Sequence, residues 1–221
     1  MAIIINREYT DTAVLKWGMN HKIIPSFECE KIQKPVSCHP DMTLTQIEDV
    51  FVCSPDSYSH YKGYLGNRLI CGNTELSPHY PRDIAYNVLV YKNHAFAKAD
   101  CIDTVVKEEL SKRNIKLINV SQGYAKCSAA VCDNGIITAD ESIYKECLKH
   151  NVPALKITHG HVRLTGYDYG FIGGASGVVD DKFLFFGNVS KHPDFEKIKS
   201  FSKCEYFDDF PLTDIGTIFS I

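Results

Sequence analysis

Short runs of small or β-branched apolar residues, broken by turn signals and by helix-period stripes, recur along this chain. The stretch from Tyr124 to Ile157, YAKCSAAVCDNGIITADESIYKECLKHNVPALKI, holds the pattern complete. Ala125 to Val131 is small, apolar and strand-compatible. Asp133-Asn134-Gly135 is a tight-turn signal, because Asn and Gly tolerate the positive φ that hairpin turns demand. Ile136 to Thr138 predicts the return strand, and Thr138 or Asp140 can cap a following helix. Ile143, Cys147 and Leu148 give that helix an apolar stripe, Asn151 suits its C-terminal end and Pro153 blocks continuation. Leu155 to Ile157 predicts a third strand. The unit reads strand, turn, strand, helix, strand.

The same order repeats. Met1 to Asn6 predicts a strand, Thr10 or Asp11 caps a helix to about Met19 with Ala13, Val14 and Trp17 on one face, and Ile23 to Phe27 predicts a strand. In the second unit Met42 and Leu44 lie in a first strand, Glu48-Asp49 sits near a turn and Val50 to Cys53 returns. An aromatic segment then leads to Arg68–Cys71, and 73–82 reads as an irregular connector. Tyr86 to Val90, Ala95 to Ala97, a helix over 102–112 and Ile115 to Val120 make the third unit. Phe171 to Val179, Phe183 to Phe186, a helix over 193–201 and Cys204 to Phe207 make the fifth. The N-terminus lacks a first strand, whereas Leu212 to Ile221 is a first strand with nothing after it. Joining them gives five ββαβ units of roughly 40 to 47 residues, the spacing of propeller-like repeats. The expected fold is therefore α/β: a five-bladed β/α-propeller, one domain over 1–221, closed by the N- and C-terminal strands so that sheet edges are covered.

Composition narrows the function classes. Among 221 residues, 44% are apolar and 23% charged, and the net charge is −3. A general nucleic-acid surface would be basic. No apolar run approaches the roughly 18 residues that span a bilayer, and the opening apolar run is too short for a signal-peptide core. Nine cysteines are scattered without a CxxC pair. They read as reduced thiols rather than a disulfide frame or a structural zinc site, and a cytoplasmic location is expected.

Aligning the units on their turns places Asp41, Asn87, Cys127, Gly174 and Asp214 at one position near the start of each first strand, with separations alternating between about 46 and 40 residues. Innermost strands of a propeller face a central channel. Side chains alternate along a strand, so His39 is expected to share the face of Asp41. Two carboxylates, an amide, a thiol and an imidazole in a channel are unfavourable unless hydrated, hydrogen-bonded or functional. Free cysteines usually fill cores, and the bland alternative for Cys127 is that role. His159 and His161 read as a polar rim, the Gly173–Gly177 run as close backbone packing within a strand, and His192-Pro193-Asp194 as a helix start.

The motifs SCHPDMTL (37–44), GYAKCS (123–128), GYDYGFIGGASG (166–177) and PLTDIG (211–216) resemble an uncharacterised bacterial family assigned to the guanidino-group-modifying enzyme fold. That fold is the pentein β/α-propeller of arginine deiminases, amidinotransferases and dimethylarginine hydrolases. The resemblance implies a cysteine nucleophile, a histidine acid/base and carboxylates that hold a guanidinium. In those enzymes the nucleophile comes from the last strand; here that strand carries Asp214 and no cysteine. Either the nucleophile has moved to Cys127, or the standard chemistry is absent.

Three readings follow. In the first, the chain is a hydrolase or transferase of guanidino or amidino compounds. Cys127 attacks the central carbon, His39 serves as acid and then base, and Asp41, Asp214 and Asn87 bind a small cationic ligand, with no cofactor and no metal. In the second, it is a non-catalytic pentein, akin to the ribosome anti-association factor or to a small-ligand binder. In the third, His39, Asp41 and Asp214 hold a metal for hydrolysis.

Overall fold

The structure is a computed structural model describing residues 2–17 and 21–221. It contains five small three-stranded sheets, each built the same way. Strand β1 (Ala2–Ile5), helix α1 (Thr10–Trp17) and β2 (Lys22–Pro25) open the chain. A single helical turn, α2 (Pro40–Thr43), leads into β3 (Leu44–Ile47), β4 (Val50–Cys53), α3 (Tyr58–Leu65) and β5 (Leu69–Cys71). The third unit is β6 (Leu89–Tyr91), β7 (His94–Ala97), α4 (Thr104–Lys112) and β8 (Lys116–Asn119). The fourth begins with another single turn, α5 (Ala125–Ser128), before β9 (Ala129–Cys132), β10 (Gly135–Thr138), α6 (Glu141–Lys149) and β11 (Ala154–Lys156). The fifth is β12 (Ser176–Val179), β13 (Lys182–Phe185), α7 (Phe195–Phe201) and β14 (Cys204–Glu205), and β15 (Phe219–Ser220) ends the chain.

In every sheet the first strand pairs antiparallel with the second, and the second pairs parallel with the third across its helix. The N-terminal sheet obeys the rule only because β15 supplies its first strand: Ile3 faces Ser220 and Ile4 faces Phe219. Both chain ends thus share one sheet, as the split repeat requires.

Local chemistry explains the units. Their hairpins turn on residues in the left-handed region: Glu48 at φ 52°, Lys92 at 50°, Asp180 at 50° and Asp181 at 60°. In the β9–β10 turn the positive φ falls on Gly135, at 144°. The Asp103 side chain caps α4 through Val105 N–H at 2.8 Å, and Asp140 caps α6 through Ile143 N–H at 2.9 Å. Asn151, at φ 56°, ends α6 as expected. Five apolar clusters join the units in succession. Leu44 and Phe51 pack with Ile4 and Ile24; Val52 with Val88 and Val106; Phe96 with Ile136 and Ile143; and Ile137 with Phe185 and Ile198. The fifth cluster brings Leu184 and Phe186 back to Ile3 and Ile5.

Some expectations shift. Met42 and Cys127 lie in the helical turns α2 and α5, not in strands, because Pro40 presets helical φ at its first position and Tyr124 accepts the Ser128 N–H. Only Ser176–Val179 of the expected 171–179 strand is extended; 172–175 is a turn in which the Gly174 carbonyl accepts N–H groups of Ile215 and Thr217 in the C-terminal segment. The predicted end of α1 at Met19 lies outside the described residues, as do Met1 and the Trp17 side chain. All nine cysteines are free.

Candidate active site

The two helical turns aim side chains inward just before their strands begin. Asp41, on α2, is fully buried, and so is Asn87, ahead of β6. The Asn87 amide bonds to its neighbours on both sides. Its Nδ2 donates to the Asp41 carbonyl at 3.2 Å and to Cys127 Sγ at 3.0 Å, while its Oδ1 accepts the Lys126 N–H at 2.8 Å. The Cys127 thiol donates to Asp41 Oδ2 at 3.0 Å. Gly174 N–H donates to the Cys127 carbonyl, and the Gly174 carbonyl accepts from Ile215 and Thr217. Asp41, Asn87, Cys127, Gly174 and Asp214 are therefore neighbours, as the repeat spacing predicts.

Gly174 must be glycine here. A Cβ on it would lie 1.9 Å from Asp214 Oδ1. The space instead admits the Asp214 carboxylate, whose Oδ2 accepts Phe171 N–H at 2.8 Å and whose Oδ1 accepts Gly216 N–H at 3.0 Å. Gly216 takes φ 74°, and a Cβ there would meet His39 Cβ at 2.3 Å. This close passage sets the His39 ring beside Asp214, with Nδ1 3.7 Å from Oδ1. His39 and Asp41 come together through the α2 turn rather than by strand alternation.

Cys127, His39 and Asp214 line one cavity of about 310 Å³, walled by Met42, Leu164, Phe171 and the rings of Tyr124, Tyr167 and Tyr169. Asp41 and Asn87 sit behind Cys127, in contact with its sulfur and not among the wall residues. The structure thus separates three groups that can touch a ligand from two that hold the thiol.

Electrostatics in this pocket oppose ionisation of the thiol. Burial, then the charges of Asp41 and Asp214, push the Cys127 pKa well above the ordinary thiol range. Burial raises Asp41, and Asp214 rises to about 6 despite its two backbone N–H donors. Burial also pushes His39 down, opposed by Asp41, and its Nδ1 has no hydrogen-bond partner. Asp41 Oδ1 is likewise buried and unpartnered. The pocket holds unspent acceptor capacity and no fixed cation on its wall.

Lys126 escaped the sequence reading, although a lysine inside YAKCSAAVC is a signal. Its ammonium donates to Thr217 Oγ1 at 3.1 Å, and Thr217 Oγ1 donates to Asp41 Oδ2 at 3.0 Å. Burial lowers its pKa, opposed first by Asp41. Lys126 opens onto a second cavity, of about 380 Å³, lined by Gln46, Val90, Val131, Val178 and Ser220, one residue from each first strand. Consecutive residues thus face two cavities, with the Asp41–Thr217 bridge between them.

The other histidines of the loop region do not line the pocket, although His159 touches its wall. His159 packs edge-on against Tyr169, and His161 against His192. Asp194 starts α7, its carboxylate accepting Thr158 N–H at 2.6 Å. Among the described residues no group of three or more His, Cys, Asp or Glu side chains could hold a metal ion. His39, Asp41 and Asp214 form no such group. Among the described residues no helix is long and apolar enough to cross a membrane.

A family model matches residues 4–219. No curated protein matches the chain. Among solved structures, the chain is similar to dimethylarginine dimethylaminohydrolase from Pseudomonas aeruginosa, a cysteine-to-serine mutant complexed with citrulline. The TM-score is 0.59 at 8% identity over 97% of this chain and 92% of that one. It is also similar to a dimethylarginine dimethylaminohydrolase histidine-to-glycine adduct with S-methyl-L-thiocitrulline, with TM-score 0.58 at 10% identity, covering 94% and 92%. A third dimethylarginine dimethylaminohydrolase structure, an adduct with 4-chloro-2-hydroxymethylpyridine, gives TM-score 0.56 at 6% identity. The fold is that of the guanidino-group-modifying enzymes.

Proposed function

This chain belongs to the family of unknown function DUF6873, and from that membership and its fold we propose that it is a hydrolase or transferase of guanidino or amidino compounds, acting through Cys127. The observation that carries the proposal is the convergence of Cys127, His39 and Asp214 on one cavity. The same reading takes 1–221 as a single domain whose five units close into a β/α-propeller. The five successive apolar clusters, and the cavity lined by all five first strands, support that closure.

Asp214 is the group to hold the planar cation, through charge-assisted hydrogen bonds. Asp41 and Asn87, assigned by the sequence to the ligand, are better placed to orient Cys127 from behind. A bound guanidinium neutralises the acidic pocket and lowers the thiol pKa, so that attack waits for substrate. The thiolate forms an S–C bond to the central carbon. His39 relays the proton lost by sulfur to the departing nitrogen as its C–N bond breaks. Water then adds to the thiouronium: one of its protons goes to His39 and the other returns to sulfur as the C–S bond breaks. The amine leaves carrying the proton on His39 as an ammonium ion. Guanidinium plus water thus gives a ureido compound plus ammonium, without oxidant or metal. An amine in place of water makes the reaction a transfer.

A panel of guanidino and amidino compounds, assayed for ammonia or amine release, tests the reaction. Turnover that Cys127→Ala and His39→Ala both abolish is expected. One observation favours a second reading, a small-ligand binder: the resting thiol is buried and held un-ionised. Tight binding of a guanidinium without turnover or covalent adduct would establish that reading instead.

A further inference from the structure

We infer that the ligand of the Cys127 cavity is a guanidino or amidino cation whose tail carries no carboxylate. The inference rests on the guanidinium reading of the inner end and concerns the outer end. Among the described residues lining this cavity none is lysine or arginine, and its mouth carries Asp168 beside Tyr167 and Tyr169. A second carboxylate lies behind this wall. Asp83 is buried, accepts the Tyr124 hydroxyl at 2.5 Å through Oδ2 and leaves Oδ1 without a partner. Its charge also reaches Tyr167. The inner end holds the unpartnered, buried His39 Nδ1, and Asp214.

A ligand carboxylate at the mouth would meet no lysine or arginine among the described lining residues. It would lie near Asp168 and the Asp83 charge, and like charges brought together in a partly desolvated site repel. Nothing there offers the bidentate partner that a carboxylate selects. An aliphatic stem packs on Leu164 and Phe171, and an ammonium tail finds the tyrosine faces and Asp168. The pocket is built for a charge at its base and against an anion at its rim.

Two probes differing only in that carboxylate, agmatine and L-arginine, isolate the tail, and methylguanidine isolates the head. Titration calorimetry on the intact protein at low ionic strength should give agmatine a Kd at least about tenfold below that of arginine. The ratio should shrink as salt is raised. Asp168→Lys should cut it several-fold, by improving arginine. Methylguanidine that fails to bind would reject the head-group reading. Methylguanidine that binds, with arginine as tight as agmatine or tighter, would overturn the tail inference alone. A ratio unmoved by Asp168→Lys would also count against it.

Discussion

Removing the Asp41 charge should make Cys127 more acidic. The thiol sits 3.0 Å from Asp41 Oδ2. At that distance two unit charges interact by about 5.5 kcal/mol at an effective dielectric near 20. Burial also raises the Asp41 pKa, so the full-charge figure is an upper bound. Even about a quarter of that interaction, about 1.4 kcal/mol, is tenfold in thiolate population for Asp41→Asn, and the new amide can donate to the thiolate, which favours ionisation further. The assay is the pH dependence of alkylation at Cys127 by iodoacetamide, a neutral reagent, mapped by mass spectrometry against the other eight cysteines. The wild-type protein should react slowly at pH 7.5. Asp41→Asn should react at least about tenfold faster, with its midpoint at lower pH. Equal or slower alkylation of the variant, with unchanged melting behaviour, would refute the claim that Asp41 holds the thiol un-ionised.

Two further perturbations probe the same cluster. Asp214 is raised to about 6, so its contribution to stability is complete below the ordinary carboxylate pKa and is lost as pH rises through about 6. Urea unfolding should show the stability of wild type relative to Asp214→Asn falling by up to about 3 kcal/mol between pH 4 and 7; a difference that stays flat or grows with pH contradicts the shift. Gly174→Ala should destabilise the protein by about 1–3 kcal/mol, because its Cβ falls within 1.9 Å of Asp214 Oδ1. A thermal scan showing no loss would mean that the Asp214 carboxylate can move aside.

Much of this architecture can be read in the sequence because local chemistry dictates it. Hairpin signals at Glu48-Asp49 and Asp133-Asn134-Gly135 coincide with residues held at positive φ, Glu48 and Gly135. The cap at Asp140 fixes where α6 starts. With those markers the spacing of Asp41, Asn87, Cys127, Gly174 and Asp214 follows. What the sequence hides is depth. Periodicity assigns Asp41 and Cys127 to one ring but not that Asp41 lies behind the sulfur while His39 and Asp214 line the cavity. The helical turns α2 and α5 are hidden because four residues carry no helical period; Pro40 is the one visible sign, in α2. Lys126 and the tyrosine wall depend on non-periodic loops whose course is set by contacts more than forty residues away, such as Tyr124 to Asp83 and Lys126 to Thr217.

The central claim, a Cys127 nucleophile in a cation site, is tested most directly by covalent labelling with 2-chloroacetamidine, a cation shaped like the proposed head group. Its amidinium should dock on Asp214 and bring its electrophilic carbon to Cys127, lowering the thiol pKa as it binds. Mass-spectrometric mapping should find Cys127 modified ahead of the other eight cysteines, while iodoacetamide shows no such preference. Asp214→Asn should abolish the selectivity. Labelling by the amidine spread over exposed Cys71 and half-buried Cys101 and Cys204, with Cys127 untouched, would contradict the account.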